Sequence, residues 1–227
     1  MNNSLPNGVN IKFDLNGNAL PFYGNTVIGY VDNKILYEAL KSVTNQIADD
    51  ISLKKKLVLL PEESYHITIF DCVCIRDDGS WYWPSDLSKE ATLKQCTDVL
   101  KKRFSEFKQK SMPDINFRIT GHKPYMNTLA ITFKPDSEAD AYNINVLRNQ
   151  LSELSGIRRD NHNEYEFHIT LGYFIAYPDP GERKLMDRVI GNFMKQTREI
   201  DRKIVMKRVE FCTFNNMLEY QPVLSIK

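Results

Sequence analysis

The 227-residue sequence has almost no net charge and no long apolar run, and each shortage excludes some classes of function. Thirty basic residues against 29 acidic residues leave a formal charge of +1, so no overall field would hold a long nucleic acid or an anionic membrane. No apolar run approaches the length of a membrane span, and residues 1–8 are polar, unlike a secretory signal. We expect a cytoplasmic, monomeric protein that binds neither membranes nor duplex DNA.

Cysteines are also few, and their spacing is not that of a metal site. Cys72, Cys74, Cys96 and Cys212 form no C-x-x-C pair and no zinc-binding pattern. Reduced and partly buried thiols are therefore expected, with no metal ion and no cofactor. If Cys72 and Cys74 share a strand, their side chains should point to the same side of it, because residues two apart do so.

What the sequence does contain is typical of a folded α+β protein. Hydrophobic residues make up 42% of the chain and aromatic residues 11%, which argues against disorder. Hydrophobic periodicity predicts strands and helices in an irregular order that does not fit a doubly wound repeat. No break in composition divides the chain, so residues 1–227 are interpreted as a single domain of two intertwined lobes, a size that one core can support.

The predicted elements follow from the hydrophobic periodicity and from turn residues. Helices are predicted at 34–51, at 87–107 with Ser88 or a neighbour as the cap, at 138–154 and at 182–198. Strands are predicted at 25–31, 56–60, 65–73, 116–121, 128–134, 166–174, 204–214 and 218–226. Residues 76–86 are predicted to form an exposed loop.

One short pattern occurs twice in predicted strands and is the strongest sign of function. The two segments are Tyr65–Phe70 (YHITIF) and Phe167–Gly172 (FHITLG), whose histidines lie 102 positions apart. Alternation along a strand places His66 and Thr68 on one face and the apolar residues on the other, and the second strand repeats this division. Each strand therefore presents an imidazole and a hydroxyl, roughly 6 to 7 Å apart, to one ligand.

His66, Thr68, His168 and Thr170 together supply the groups that cleavage of a phosphodiester needs. One imidazole takes the proton of the attacking oxygen, the other protonates the leaving oxygen, and the hydroxyls donate to phosphate oxygens. Histidine suits both proton roles because its ordinary pKa is near neutrality, which predicts a bell-shaped pH dependence. A single H-x-T tripeptide arises easily by chance, but two copies in phase do not.

The residues that select the substrate are harder to predict from the sequence than the catalytic residues. The candidates are Tyr23 and Asn25 at the entry to the first strand, Trp81 and Trp83 in the loop, and Tyr125 in a turn. Aromatic side chains stack on nucleobases with about 1 to 3 kcal/mol per base. For the tryptophan loop, a hydrophobic plug that closes one lobe is the favoured alternative.

Other polar and aromatic residues near the motifs are interpreted as bystanders. His122 and His162 lack a threonine two positions later, and Lys123 is expected to be solvated. Tyr173 is in phase with the apolar residues of its strand, so it is expected in the core.

The doubled motif resembles the hallmark of the two-histidine (2H) phosphoesterase superfamily, the LigT-like enzymes. Their hallmark is two H-x-T motifs in separate strands, each followed by an apolar residue, and His66–Ile69 and His168–Leu171 match it. The resemblance implies a two-lobed, pseudo-symmetric fold in which two antiparallel sheets form a concave central groove with helices outside. Activities known in this group include hydrolysis of 2′,3′-cyclic phosphates at RNA ends and of ADP-ribose cyclic phosphate, and cleavage of 2′-5′ or cyclic oligonucleotides.

The expected function is a metal-independent phosphodiesterase that acts on a cyclic phosphate or on a short or cyclic nucleotide. Three alternatives stay open at this point. One is an enzyme that processes RNA ends carrying a 2′,3′-cyclic phosphate, and another is a catalytically silent nucleotide-binding module of the same fold. The third is a metallohydrolase with the histidines as ligands, which the lack of an H-x-H or H-x-x-x-D cluster disfavours.

Overall fold

The helices and strands of the chain are defined by a computed structural model that describes residues 5–31, 33–75, 79–106, 113–199 and 204–226. Within these ranges the α-helices are α1 (Lys34–Ala48), α2 (Leu93–Ser105), α3 (Glu138–Ser155) and α4 (Pro180–Glu199). The β-strands are β1 (Gly24–Val31), β2 (Leu57–Leu59), β3 (Ile67–Cys74), β4 (Ile115–His122), β5 (Thr128–Pro135), β6 (Phe167–Phe174), β7 (Ile204–Phe214) and β8 (Gln221–Ser225). Short 3₁₀ turns are Leu53–Lys55, Glu62–Ser64 and His162–Glu164.

The described strands form one antiparallel sheet with the order β2-β6-β5-β4-β7-β1-β3, and β8 also pairs with β7. One edge of the long strand β7 pairs with β1, and its other edge holds β4 at its start and β8 at its end. The α+β, two-lobed fold is confirmed. The two expected sheets are joined, however, because Ile115–Phe117 of β4 continues the ladder onto Ile204–Met206 of β7.

The sheet curls so that β3 and β6 contact each other although they are distant in strand order. Helix α1 packs against α4, and α2 packs against α3, which also contacts β3, β4 and β5. A buried hydrophobic cluster fills the space between the helices and the sheet. In the described part of the chain, no helix has both the length and the apolar character needed to cross a membrane.

Helix α2 begins later than the sequence predicted. Its first residue is Leu93, and Thr92 caps it in a reciprocal capping box with Gln95. Ser88, the predicted cap, lies in the preceding turn, where its carbonyl accepts a hydrogen bond from the Trp83 indole. Residues 76–78 of the predicted loop and Phe107 at the predicted helix end lie outside the described residues.

A β-bulge interrupts β3 just after its H-x-T motif. Thr68 pairs with Ile28 and Phe70 pairs with Val27, so Ile69 is an extra residue without a partner in the register. A bulge of this kind reverses the inside-outside alternation of the strand beyond it.

Strand β6 has a bulge at the equivalent position. Thr170 pairs with Ala130 and Gly172 pairs with Leu129, so Leu171 is the extra residue. In both strands the extra residue is therefore the third after the motif histidine, which supports the pseudo-symmetry of the two lobes.

The carbonyl groups of the two extra residues are satisfied in different ways. The buried guanidinium of Arg148 donates to the carbonyl of Ile69 and, at 2.8 Å, to that of His162. The carbonyl of Leu171 accepts from the backbone N–H of Leu60 at 2.9 Å. Because both extra carbonyls accept hydrogen bonds, neither bulge leaves an unsatisfied polar group in the buried sheet.

The bulges overturn two predictions about side-chain direction. Tyr173 was expected on the core face, but the bulge in β6 turns it to the concave face, where it is half-buried. Cys72 and Cys74 were expected on one side of β3, but Cys72 is buried and Cys74 is half-buried on the concave face. A second register shift in β3, between Asp71 and Cys74, separates the two cysteines.

Candidate active site

The concave face of the sheet encloses a cavity of about 770 Å³. His66, Thr68, His168 and Thr170 all line it, so the structure brings together the four residues of the two motifs. The rest of the wall includes Asn7, Gly8, Ile11 and Lys12 of the N-terminal segment, and Lys123, Pro124 and residues 126–128 between β4 and β5. The backbone N–H of Asn7 donates to the Asn127 side chain at 2.9 Å and joins these two parts of the wall.

The His66 ring is fixed by backbone that immediately precedes β3. Its Nδ1 lies 2.7 Å from the carbonyl oxygen of Ser64, and because a carbonyl only accepts, Nδ1 has the proton of the neutral ring. Its Nε2 is therefore unprotonated and lies 3.3 Å from Oγ1 of Thr68. The edge of the Tyr220 ring contacts the imidazole, with centroids 4.2 Å apart.

His168 repeats this arrangement in the other lobe. Its Nδ1 lies 2.8 Å from the carbonyl oxygen of Glu166, again the residue two positions before the histidine. The same tautomer follows, with an unprotonated Nε2 that no backbone group holds. Both histidines are thus oriented through Nδ1, and Nε2 of His66 accepts from the Thr68 hydroxyl until a ligand takes that place.

Both motif histidines are neutral at pH 7 in the free protein. Burial lowers the pKa of His66 to about 4, against an opposing effect of the hydrogen bond to Ser64 and of the Asp71 charge. Burial also lowers the pKa of His168 to about 4, and the ammonium group of Lys123 lowers it further. An anionic phosphate between the rings would favour their protonated forms, so its binding should be coupled to proton uptake.

A tyrosine hydroxyl supplements the threonine hydroxyls. Tyr165 forms a hydrogen bond with Thr68, and burial raises the pKa of Tyr165 so that the phenol stays protonated. Tyr165 lines the cavity and lies beside His168, with ring centroids 6.4 Å apart. The site therefore has uncharged O–H donors from both lobes.

Asp71 and Arg159 line the cavity and were missed in the sequence. The Arg159 guanidinium lies 3.4 Å from the centroid of the Tyr82 ring and donates to the carbonyl of Cys72 at 3.2 Å. Asp71 is turned into the groove by the bulge after Thr68. The sequence does contain a sign of this placement of Asp71, because strict alternation along the apolar run Ile69–Cys74 would turn its carboxylate into the core.

The two candidate substrate-binding residues at the start of β1 have different placements. Tyr23 is 47% exposed and is not among the residues that line the cavity. Asn25 lines the cavity but is buried, and its side chain donates to Oγ1 of Thr97 at 3.0 Å and accepts from the N–H of Val73 at 2.9 Å. Its amide is therefore already used in joining β1 to β3 and α2.

The structure does not bring the other candidate substrate-binding residues, Trp81, Trp83 and Tyr125, to the cavity wall. Trp81 is 38% exposed, and Trp83 packs against the core while its indole N–H donates to Ser88 at 3.1 Å. Tyr125 is buried and stacks on His122, with ring centroids 4.8 Å apart. These placements fit a packing role for Trp83 and Tyr125.

The remaining polar groups can be placed in relation to the cavity. His162 is buried, with Nε2 3.0 Å from the Asn149 side chain, and it does not line the cavity. All four cysteines are free thiols. Within the described ranges, no three His, Cys, Asp or Glu side chains lie close enough together to hold a metal ion.

Comparison with protein families gives one match to this chain. The matching family model has the description "2H-phosphodiest: Domain of unknown function (DUF1868)" and covers residues 12–128. The matched range includes the first motif, and the second motif lies beyond it. Comparison with curated protein sequences gives no match.

Several solved structures are similar to the chain. A conserved protein of unknown function from Agrobacterium tumefaciens, ATU0111, has a TM-score of 0.87 and 25% identity, over 99% of this chain and 94% of its own. TT0787 of Thermus thermophilus has a TM-score of 0.47 and 11% identity, over 88% and 95% of the two chains. Usb1 of Kluyveromyces marxianus has a TM-score of 0.42 and 9% identity, over 88% and 98%.

Proposed function

Because the chain belongs to the 2H-phosphodiesterase family (domain of unknown function DUF1868), we propose that it is a metal-independent phosphodiesterase of cyclic phosphates or of short or cyclic nucleotides. The main support is the paired arrangement of His66 and His168. Each ring is held through Nδ1 by a carbonyl two residues earlier, and both rings line one cavity. This arrangement supports a mechanism in which the Nε2 atoms of both rings act on one phosphate group.

The reaction needs one histidine in each protonation state. The neutral ring takes the proton of the attacking water or hydroxyl at Nε2 while the oxygen–phosphorus bond forms. The other ring, protonated when the anionic phosphate binds, gives its Nε2 proton to the leaving oxygen as the second oxygen–phosphorus bond breaks. Each turnover places one proton on the first histidine and removes one from the second, so the two histidines have then swapped protonation states. Proton exchange with solvent restores the starting states.

Thr68 and Thr170 stabilise the charge that builds on the non-bridging oxygens. Both are β-branched residues at equivalent positions of β3 and β6, so each hydroxyl has few rotamers and a fixed direction. Fixed donors of this kind stabilise a transition state without having to reorganise. The hydroxyl of Tyr165, which is bonded to Thr68, would hold the Thr68 hydroxyl in place.

The cavity suits a small or short substrate. Its volume of about 770 Å³ lies in the range of ordinary small-molecule sites. The net charge of +1 gives no general attraction for long polyanions. Since the wall combines residues of both lobes, we also propose that residues 1–227 act as a single domain.

A panel of substrates tests the proposed function. It should contain nucleoside 2′,3′-cyclic phosphates, cyclic dinucleotides, 2′-5′ oligoadenylate and a short RNA with a 2′,3′-cyclic end, with products identified by mass. We expect turnover of at least one small member in the presence of a chelator. Preference for the RNA would favour the RNA-end activity, and activity that requires added zinc or manganese would contradict the acid-base mechanism.

Replacement of each histidine separates an enzyme from a binding module. His66→Ala and His168→Ala should each lower kcat by roughly 10² to 10⁴-fold, because each removes one proton transfer. Ligand affinity, measured by calorimetry, should change much less. If the wild-type protein binds members of the panel but turns over none of them, the protein is a binding module.

A further inference from the structure

The two lobes differ at the position that the bulges turn into the groove. Three residues after Thr68 this position holds Asp71, and three residues after Thr170 it holds Tyr173. Both side chains line the cavity. One motif strand therefore turns a carboxylate into the groove, and the other turns an aromatic ring into it.

The Tyr173 ring contacts a cation, the ammonium group of Lys12, which was not among the candidates predicted from the sequence. Nζ of Lys12 lies 5.0 Å from the centroid of the Tyr173 ring and 5.1 Å from that of Phe22. The Lys12 backbone is held on both sides, by a hydrogen bond to Gly8 at 2.8 Å and by one from Leu20 at 2.9 Å. The ammonium group is thus placed by two rings and by a folded segment.

Lys12 differs from the other lysine of the wall in its pairing. Lys123 lies 3.7 Å from the carboxylate of Glu166, whereas no ion pair joins Lys12 to a carboxylate of the described residues. Lys12 is half-buried and lines the cavity. Because aromatic ring faces, and no carboxylate of the described residues, contact the Lys12 ammonium group, this group is suited to bind an anionic group of a ligand.

The position of Lys12 separates it from the reacting phosphate. Tyr173 follows Thr170 by three residues with a bulge between them, which corresponds to roughly 7 to 10 Å along the strand. The Lys12 charge is also not among the influences on the pKa of either motif histidine, so an anion beside Lys12 is a second group and not the one between the histidines. Burial lowers the pKa of Arg159 and the Asp71 charge raises it, so these two groups of the wall lie close together and the carboxylate is partly balanced.

We propose that Lys12, held over Tyr173 and Phe22, binds a second phosphate group of the substrate. The proposal rests on the proposed function for the location of the reacting phosphate. It restricts the substrate class to nucleotides with at least two phosphates, such as a 5′-phosphorylated cyclic nucleotide or an oligonucleotide.

Equilibrium binding of two product-like probes tests this subsite without turnover. The probes are adenosine 2′-monophosphate and adenosine 2′,5′-bisphosphate, titrated by calorimetry at low salt into the wild type and into Lys12→Met. Met keeps the unbranched chain over the two rings but has no charge. We expect the wild type to bind the bisphosphate about 10- to 100-fold more tightly, as for a charge-assisted hydrogen bond, and Lys12→Met to lose this difference with its monophosphate affinity unchanged.

Two matched variants control for charge and for fold. Lys12→Arg should retain most of the preference, and Lys34→Met, which removes an exposed lysine at the start of α1, should bind both probes as the wild type does. Equal affinity of the wild type for both probes, or its binding of neither, would overturn the proposal. An equal loss for both probes in Lys12→Met would do so too.

The same titrations distinguish failure of the subsite from failure of the proposed function. A protein that hydrolyses no phosphodiester can still prefer the bisphosphate, which would leave the Lys12 subsite standing and remove the catalytic role. A protein that hydrolyses cyclic mononucleotides and shows no preference would lose the subsite and keep the activity.

Discussion

Residues 66–71, which lead into β3, and residues 168–173 of β6 have the same features in the same order: a histidine anchored through Nδ1, a threonine, an extra residue, and a side chain turned into the groove. They differ in the group that binds the carbonyl of the extra residue and in the identity of the side chain that is turned into the groove. Arg148 holds the bulge of β3, whereas backbone holds that of β6. The shared part corresponds to the proposed chemistry, and the part that differs corresponds to the proposed selection of the substrate.

After replacement of the histidines, replacement of the threonines should have the largest effects, and these should be similar if the two strands are equivalent in the chemistry. Thr68→Val and Thr170→Val each remove one donor to the phosphate and should lower kcat by roughly 10²-fold. Steady-state kinetics on the best substrate of the panel measures this. Thr→Ser at each position keeps the hydroxyl and should retain most activity, and a loss confined to one of the two valine variants would break the equivalence.

Arg148 should show a large effect that has no counterpart in β6. Arg148→Met leaves the buried carbonyls of Ile69 and His162 without their donor and should destabilise the fold by about 1 to 3 kcal/mol per carbonyl. Denaturant unfolding measures the loss. Arg158→Met, at a neighbouring exposed arginine, is the control, and unchanged stability of Arg148→Met would mean that the bulge needs no such support.

Acid should destabilise the protein through both motif histidines to a similar degree. Their pKa in the folded state is about 4, below the usual 6.5, so the unfolded chain binds protons more strongly between these values. Stability should therefore fall as the pH is lowered from about 6.5 toward 4. Thermal unfolding at pH 7 and pH 5 should show a smaller difference for His66→Gln and for His168→Gln than for the wild type.

A third histidine, outside the groove, provides a comparison for this loss of stability in acid. Burial also lowers the pKa of His162 to about 4, so His162→Gln should reduce the same pH dependence without acting on Nε2 of either motif ring. A wild-type unfolding temperature that does not change between pH 7 and pH 5 would contradict the buried, neutral state of these rings.

The smallest expected effect distinguishes the two histidines. The Lys123 charge lowers the pKa of His168 and is not among the influences on His66. Lys123→Met should raise the pKa of His168, because it removes a nearby positive charge, and should leave that of His66 in place. Titration of the ring protons by NMR measures both, and equal shifts would mean that the two sites are more strongly coupled than their surroundings suggest.

Much of this architecture could be predicted from local pattern. The H-x-T repeat in two strands predicted that His66, Thr68, His168 and Thr170 meet, because a period of two places each pair on one face. Helical spacing in the same way predicted α1, in which Leu36, Leu40 and Val43 are buried. These features depend on residues close together in the sequence.

The features that were missed depend on partners far away in the sequence. The bulge at Ile69 is held by Arg148 on α3, and the bulge at Leu171 by Leu60 before the Glu62–Ser64 turn. Strict alternation therefore failed at Asp71 and at Tyr173. Lys12 was missed for a related reason, since one of the two rings that support it, Tyr173, belongs to a strand far away in the sequence.

The paired bulges also change how relatives of this protein should be compared with one another. Aligned sequences should be divided not only by the two histidines and threonines, but also by the residue five positions after each histidine, where this chain has Asp71 and Tyr173. We expect a change of substrate to replace these two residues while the motif histidines and threonines, which carry the proposed chemistry, are kept. An alignment of relatives would test this expectation before any of them is purified.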